Sequence, residues 1–187
     1  MENPFKQTLR KVTTFLEAQQ IQYAVIGGIA NQIWGQARFT YDIDIKVLVP
    51  DSDYEGLRAT LLKAFPESGR PNLPMNPLIV SVKAGEIIVD FLLSTPGYEE
   101  SLVKRAVRHQ YDNLSLWICT AEDLIIQKAI AGRSKDWQDI EGILIEQQTK
   151  LDQNYLEDWL GQFADALDHP DILDHYRAIW QSVMMPK

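Results

Sequence analysis

The sequence predicts an α+β fold, a mixed β-sheet flanked by helices and followed by a helical carboxy-terminal region. Three observations carry this. Five short apolar runs, Tyr23–Ile26, Ile43–Val49, Leu78–Val82, Glu86–Leu93 and Leu114–Cys119, have the length and β-branched content of strands. Segments with apolar residues near 3.6-residue spacing stand before and between them, and from Ala121 onward the patterning is helical throughout. The expected division is an α/β core over residues 1–120 and a helical region over 121–187 packed on it.

The elements follow in order. Pro4–Gln19 reads as an opening helix, with Phe5, Leu9, Val12 and Leu16 on one face and Pro4 where a missing N–H costs little. The strand Tyr23–Ile26 closes on Gly27-Gly28, and Ile29–Trp34 is a short helix stopped by Gly35. Ile43, Ile45, Val47 and Val49 alternate with Asp42, Asp44, Lys46 and Leu48, a period of two that Pro50 ends. Asp51-Ser52-Asp53 offers N-caps for a helix reaching Phe65. Pro66–Pro77 is the longest loop, and loops of that length often cover sites. Leu78–Val82 and Glu86–Leu93, split by Ala84-Gly85, make a hairpin, and Tyr98–His109 is expected to be helical. After the last strand, Thr120-Ala-Glu-Asp123 starts the helix Ala121–Ala131. Gly132, Gly142 and Gly161 are expected to break the remainder, in which Tyr155, Leu156, Trp159, Leu160, Phe163 and Leu167 form one apolar stripe.

Composition bounds the function. With 187 residues, 45% apolar and 24% charged, the chain has the make-up of a globular protein with a full core. It has no run long enough to cross a bilayer, and Met1-Glu2-Asn3-Pro4 lacks the basic, apolar start of a signal peptide, so a cytoplasmic location away from membranes is expected. The single cysteine, Cys119, rules out an internal disulfide and reads as a small buried hydrophobe. A net charge of −8 argues against broad nucleic-acid binding, yet five of the eight excess negative charges fall in Leu151–Lys187, which leaves the first part open to a polyphosphate or RNA site.

Chemistry concentrates at Asp42-Ile43-Asp44. Residues i and i+2 of a strand share a face, so the two carboxylates stand side by side, a platform for a hard divalent cation such as Mg²⁺, which takes protein carboxylates together with substrate phosphates. Gly27-Gly28, between a strand and a short helix, lets backbone N–H groups approach a phosphate. Asp90, alone in an apolar strand, needs a partner; it either completes a carboxylate triad able to hold two ions or pairs with Lys46, which follows Asp42 and Asp44 on the same face. Arg38 and Lys128 are candidate phosphate cations. Asp136 and Asp139 share a helix face and read as structural, able to bond Arg133 or cap a neighbour. Lys104, Arg105 and Arg108 form a small basic cluster, and His109, His169 and His175 lack zinc-like spacing.

The Gly-Gly turn, the Asp-x-Asp pair and the later acid resemble the nucleotidyltransferase superfamily. Gly27-Gly28, Arg38-x-Thr40-x-Asp42-x-Asp44, Glu122-Asp123-Leu124-x-x-x-Lys128 and Ala131-Gly132-Arg133-x-Lys135-Asp136-x-x-Asp139 look like the AbiEii-type toxin nucleotidyltransferases, over about Ile21–Leu144. The resemblance implies a nucleotidyltransferase-like sheet; Mg²⁺ or Mn²⁺ on Asp42, Asp44 and Asp90, with these three also catalytic and Asp90 as general base; and nucleotide binding by Gly27, Gly28, Arg38, Thr40 and Lys128. It implies transfer of a nucleoside monophosphate from an NTP to a hydroxyl of tRNA or other RNA, a protein or a small molecule, and a toxin role with a cognate antitoxin protein. Many members carry serine where this chain has Gly28, so a hydroxyl contact to phosphate is lost. Two rivals stay open: a catalytically degenerate member serving as a binding module through its acidic helical end, and a sugar-nucleotide glycosyltransferase, for which the chain is short and the early Gly-Gly turn unexplained.

Overall fold

The computed structural model describes residues 3–72 and 74–184. Met1 and Glu2 of the opening Met-Glu-Asn-Pro, Leu73 within the long loop, and Lys187 of the acidic end lie outside the described residues. The chain forms two compact units: one takes the chain up to Ile29 together with Phe39–Cys119, the other Ala30–Arg38 together with the chain from Thr120.

The first unit holds α1 (Pro4–Ala18), β1 (Tyr23–Val25), the start of α2 (Gly27–Trp34), β2 (Asp42–Val47), α3 (Tyr54–Ala64), β3 (Ile79–Ala84), β4 (Ile87–Leu93), α4 (Tyr98–Lys104), β5 (Val107–Tyr111) and β6 (Leu114–Ile118). Six strands make one mixed sheet in the order β3-β4-β2-β1-β6-β5. β2 and β4 pair in parallel, as do β1 and β6; the other neighbours are antiparallel. The α+β class read from the sequence is the observed one.

Alternation separates the faces of the sheet. Ile43, Ile45, Val89 and Phe91 are fully buried, and the rings of Phe15 from α1, Phe65 and Phe91 meet in series at 5.3 and 6.0 Å, so this face is the core of the unit. The opposite parity carries Asp42, Asp44, Ser81 and Asp90. α1 starts with Asn3 as N-cap, its side chain accepting from Phe5 N–H, and Asp53 caps α3 by accepting from Gly56 N–H.

Tyr98–His109 is not one helix: α4 ends at Lys104, and Val107–Tyr111 is an edge strand paired with β6. Val-Arg-His-Gln-Tyr lacks apolar alternation because an edge strand is charged and half-exposed, and only its partner makes it a strand. The local signal was Asp112-Asn113, the two-residue turn between β5 and β6, where Asp112 takes a left-handed φ of 52°.

The second unit contains the rest of α2 with α5 (Ala121–Ala131), α6 (Ser134–Gln147), α7 (Gln153–Ala166) and α8 (Asp171–Met184). Thr120 caps α5 by accepting from Asp123 N–H, and Gly132, with φ +64°, ends it. Gly142 and Gly161 do not break helices as expected; both lie inside them. At Gly142 the missing side chain makes room for Gln36, whose Cγ would lie 3.2 Å from an added Cβ. Leu156 and Leu160 of the α7 stripe are fully buried, whereas Leu167 at its end is 46% exposed. Cys119 is buried. Among the described residues no helix is long and apolar enough to cross a membrane.

Candidate active site

The register of three strands builds a polar row across the sheet. Asp44 lies opposite Asp90 in the parallel β2–β4 pair, and Ser81 opposite Asp90 in the antiparallel β3–β4 pair. On the far side of β2, β1 ends where Ile26 N–H donates to Asp44 O, and Gly27 turns with φ +62°. A Cβ on Gly27 would collide with Asp44 Oδ2, so this turn can pass the carboxylate only as glycine. Gly28 is equally confined: an added Cβ would lie 2.5 Å from Thr40 Oγ1 and 2.6 Å from Thr40 Cβ. The Thr40 hydroxyl donates towards Asp42, at 3.2 Å from Oδ1 and 3.3 Å from the carbonyl oxygen.

Asp42, Asp44 and Asp90 each offer a carboxylate oxygen, and these lie within 4.8 Å of one another. Three hard oxygen donors from two adjacent strands, with no histidine or thiolate in the group, fit Mg²⁺, Mn²⁺ or another hard divalent ion better than zinc. The need for positive charge there is already visible in the protein itself.

That charge comes from Arg70, which sequence reading passed over. Its Nη2 donates to Asp90 Oδ2 at 2.8 Å and to Asp42 Oδ2 at 3.1 Å, and its Nε to Asp90 Oδ2 at 3.0 Å. The hydrogen bond to Asp90 is the main reason that the Arg70 pKa is raised above its ordinary value, so the guanidinium stays charged. Arg70 is held there by structure in the Pro66–Pro77 loop. Ser68 bridges to Val82, Gly69 N–H donates to Ser81 O at 3.1 Å, and Lys83 N–H donates to Glu67 O at 2.7 Å. A Cβ on Gly69 would lie 2.6 Å from Val82 O, so glycine permits this approach to β3. The signal was present in the sequence as Ser-Gly-Arg70 in a loop expected to cover the site.

Lys46, the expected rival partner of Asp90, turns elsewhere. It is buried and donates to Glu99 Oε1 of α4 at 2.5 Å. Burial pushes the Glu99 carboxyl up, but Lys46 and the Thr95 donors outweigh it, and the Glu99 pKa lies below its ordinary value. The basic cluster near residue 105 is also engaged, Lys104 with Glu100, and Arg108 with Glu17 and over the Trp117 ring.

Within the second unit, Arg38 and Lys128 meet at Asp139. Arg38 donates through Nε to Oδ1 and through Nη2 to Oδ2, both at 2.9 Å, and Lys128 Nζ donates to Oδ2 at 2.5 Å. Asn31 Nδ2 adds a longer bond of 3.3 Å to Oδ1. Asp136, read as a partner for Arg133, accepts from its Nε at 2.5 Å.

A mixed sheet with a Gly-Gly turn opening α2 and a following strand that begins Asp-x-Asp fits the nucleotidyltransferase class of fold. The chain belongs to the family described as "Nucleotidyltransferase of unknown function (DUF6036)", whose model matches residues 5–178. No curated protein matches it. Among solved structures, an antigenic nucleotidyltransferase-like protein from Paracoccidioides brasiliensis is 18% identical, matched over 92% of this chain and 93% of its own with a TM-score of 0.52. The solution structure of the antibiotic-resistance factor ANT(2'')-Ia is 13% identical over 94% of this chain and 100% of its own, with a TM-score of 0.58. A crystal structure of ANT(2'')-Ia in complex with adenylyl-2''-tobramycin is 12% identical over 85% and 96%, with a TM-score of 0.56. At these identities the likeness shows the fold.

Proposed function

We propose that this chain is a divalent-metal-dependent nucleotidyltransferase that moves a nucleoside monophosphate from an NTP to a hydroxyl acceptor and releases pyrophosphate. The supporting observation is the close set of Asp42, Asp44 and Asp90 carboxylates beside the Gly27-Gly28 turn, in a member of a nucleotidyltransferase family. These three carboxylates would hold Mg²⁺ or Mn²⁺, which supplies Lewis-acid neutralisation of charge on phosphate oxygens.

The remaining roles belong to the protein. Thr40 orients Asp42, and the backbone N–H groups at the start of α2, where Gly27 and Gly28 pass close beside Asp44 and Thr40, are the proposed phosphate contacts. Asp90 takes the proton of the acceptor hydroxyl while the acceptor oxygen bonds to the α-phosphorus and the bond from that phosphorus to the pyrophosphate oxygen breaks. Arg38 and Lys128 are the proposed triphosphate contacts, shared with Asp139. The neighbour holding adenylyl-2''-tobramycin supports a small molecule as one acceptor class. RNA such as tRNA, or a protein, remains in the proposal through the AbiEii-like motifs, as does a toxin role with an antitoxin. The division into a transferase core and a helical region near residue 120 belongs to the same reading.

The test is incubation with each labelled NTP, Mg²⁺ and cell extract, comparing wild type with Asp42→Ala; label appearing with wild type alone is the expected result and reveals the acceptor class. Arg70 favours a second reading, a degenerate binding module whose carboxylates are neutralised from within. Calorimetric titration with NTP and Mg²⁺ separates the two, since absence of binding selects the module.

A further inference from the structure

A cavity of about 320 Å³ adjoins Asp90 on the side away from Asp44. Its wall includes Arg58, Ser68, Arg70, Asn76, Ser81 and Asp90, with prolines and Ile79 between them. This volume is at the lower end for ligand-binding clefts, and the mixture of apolar wall with a few fixed polar groups is typical of them.

The charges of the wall are unequal. Arg58 Nη1 donates to the carbonyl oxygens of Asn76 at 3.2 Å and Ile79 at 3.0 Å, which fixes the guanidinium against the loop without neutralising it. No carboxylate pairs with Arg58 among the described residues. Arg70 is balanced by Asp42 and Asp90, but once these serve a cation its charge joins that of Arg58. Ser81 Oγ, directly across the strand pair from Asp90, is buried without a hydrogen-bond partner among the described residues. An unmade bond at a buried hydroxyl costs free energy that a ligand oxygen would relieve.

We propose that this cavity is the acceptor subsite and that Arg58 and Arg70 make it select an anionic acceptor, one with a phosphate close to the reacting hydroxyl. The inference rests on the transferase reading above for the identity of the reaction, and on the cavity alone for the charge of the ligand. Bound there, the acceptor phosphate lies between the two guanidiniums, and its hydroxyl reaches Asp90 from the β3 side. A polycation such as an aminoglycoside would place ammonium groups against fixed guanidiniums and meet like charge.

The closing experiment titrates the Mg²⁺-saturated full chain with ribose 5-phosphate, a short oligoribonucleotide, ribose and tobramycin, following the amide signals of Gly69, Asn76 and Ser81 by NMR. Either phosphate-bearing probe should move these signals, the two arms distinguishing a free sugar phosphate from a nucleic-acid end, and ribose and tobramycin should not at equal concentration. Arg58→Gln should weaken the phosphate-bearing probe about tenfold, the loss expected for one charge-assisted contact, and Arg58→Lys should recover part of it. Tobramycin or ribose binding as well as the phosphate probes, or phosphate probes leaving all three signals unmoved, overturns the proposal. Pyrophosphate release from NTP, measured in parallel, keeps the two readings apart. Phosphate binding at the cavity without any release removes the transferase reading and leaves the subsite; release that prefers tobramycin removes the subsite and leaves the transferase.

Discussion

Asp44 and Asp90 stand directly opposite each other across the parallel pair β2–β4, which is why two acids far apart in sequence share one site. Their proximity is a consequence of register: a slip by one residue would carry one of them to the apolar face. Asp44→Asn and Asp90→Asn should each keep the far-ultraviolet circular dichroism of wild type, because neither side chain is part of the core. Each should weaken Mn²⁺ binding measured by electron paramagnetic resonance. Transfer should fall by about a thousandfold or more, the scale of several kcal/mol of charge stabilisation. Wild-type Mn²⁺ affinity in either variant would separate these residues from the metal.

Arg70 is a cation competing for the same oxygens. Removing it as Arg70→Ala takes the guanidinium from Asp90 and Asp42 and leaves three clustered carboxylates to repel one another. The side chain is 35% exposed, so solvent screens the pair and the loss in the metal-free protein should be only about 1 kcal/mol. Thermal unfolding in EDTA should therefore show a lower Tm than wild type, and saturating Mg²⁺ should close the gap. Mg²⁺ affinity should rise a few-fold in the variant. Lower Mg²⁺ affinity would make Arg70 a supporter of the ion instead of its competitor.

How much of this could be read in the chain follows from what each residue's position depends on. Asp42, Asp44 and the Gly27-Gly28 turn were legible because their arrangement is local, set by a period of two and by a dipeptide. Asp90 was legible as an isolated charge in an apolar strand, although its placement opposite Asp44 depended on which strands became neighbours. Lys46 and Arg70 show the limit. Periodicity put Lys46 on the carboxylate face, but α4 supplies Glu99 at 2.5 Å and takes it, while Arg70 reaches Asp90 through a loop bridging to β3. Both partners depend on tertiary packing, as does β5, which is a strand only because β6 lies beside it.

Glycine at position 28 has a local cause. Thr40 Oγ1 lies 2.5 Å from where a Cβ on Gly28 would be, so the threonine occupies the space that a side chain at position 28 would need. Gly28→Ser should therefore not add a phosphate contact. It should displace Thr40 from Asp42, lower stability by about 1–3 kcal/mol as overpacking does, and reduce nucleotide affinity. Gly28→Ser should cost less on a Thr40→Gly background, where the Cβ that would lie at 2.6 Å is also gone, than in wild type, a non-additive recovery that urea denaturation can measure. Additive losses would mean that the two side chains do not contend for this space.

Asp139 ties the second unit to pH. Burial pushes its carboxyl up, yet the hydrogen bonds from Arg38 and Lys128 outweigh that, and its pKa lies below the ordinary 3.8. A carboxylate whose pKa falls on folding stabilises the native state fully above the unfolded value and loses that contribution as pH drops through the lower folded one. Stability from urea unfolding should thus be insensitive to Asp139 above about pH 5 and decline with acid below about pH 4. Asp139→Asn should flatten that decline. At neutral pH it should also cost about 3 kcal/mol, because Lys128 is 5% exposed and keeps only the longer contact to Asp136, at 3.9 Å. Adding Lys128→Met should return part of the loss, since the uncompensated buried charge is then gone. Should Asp139→Asn leave both the acid slope and the neutral stability at wild-type values, the Arg38–Asp139–Lys128 cluster contributes nothing to folding, and its two cations are held for a ligand alone.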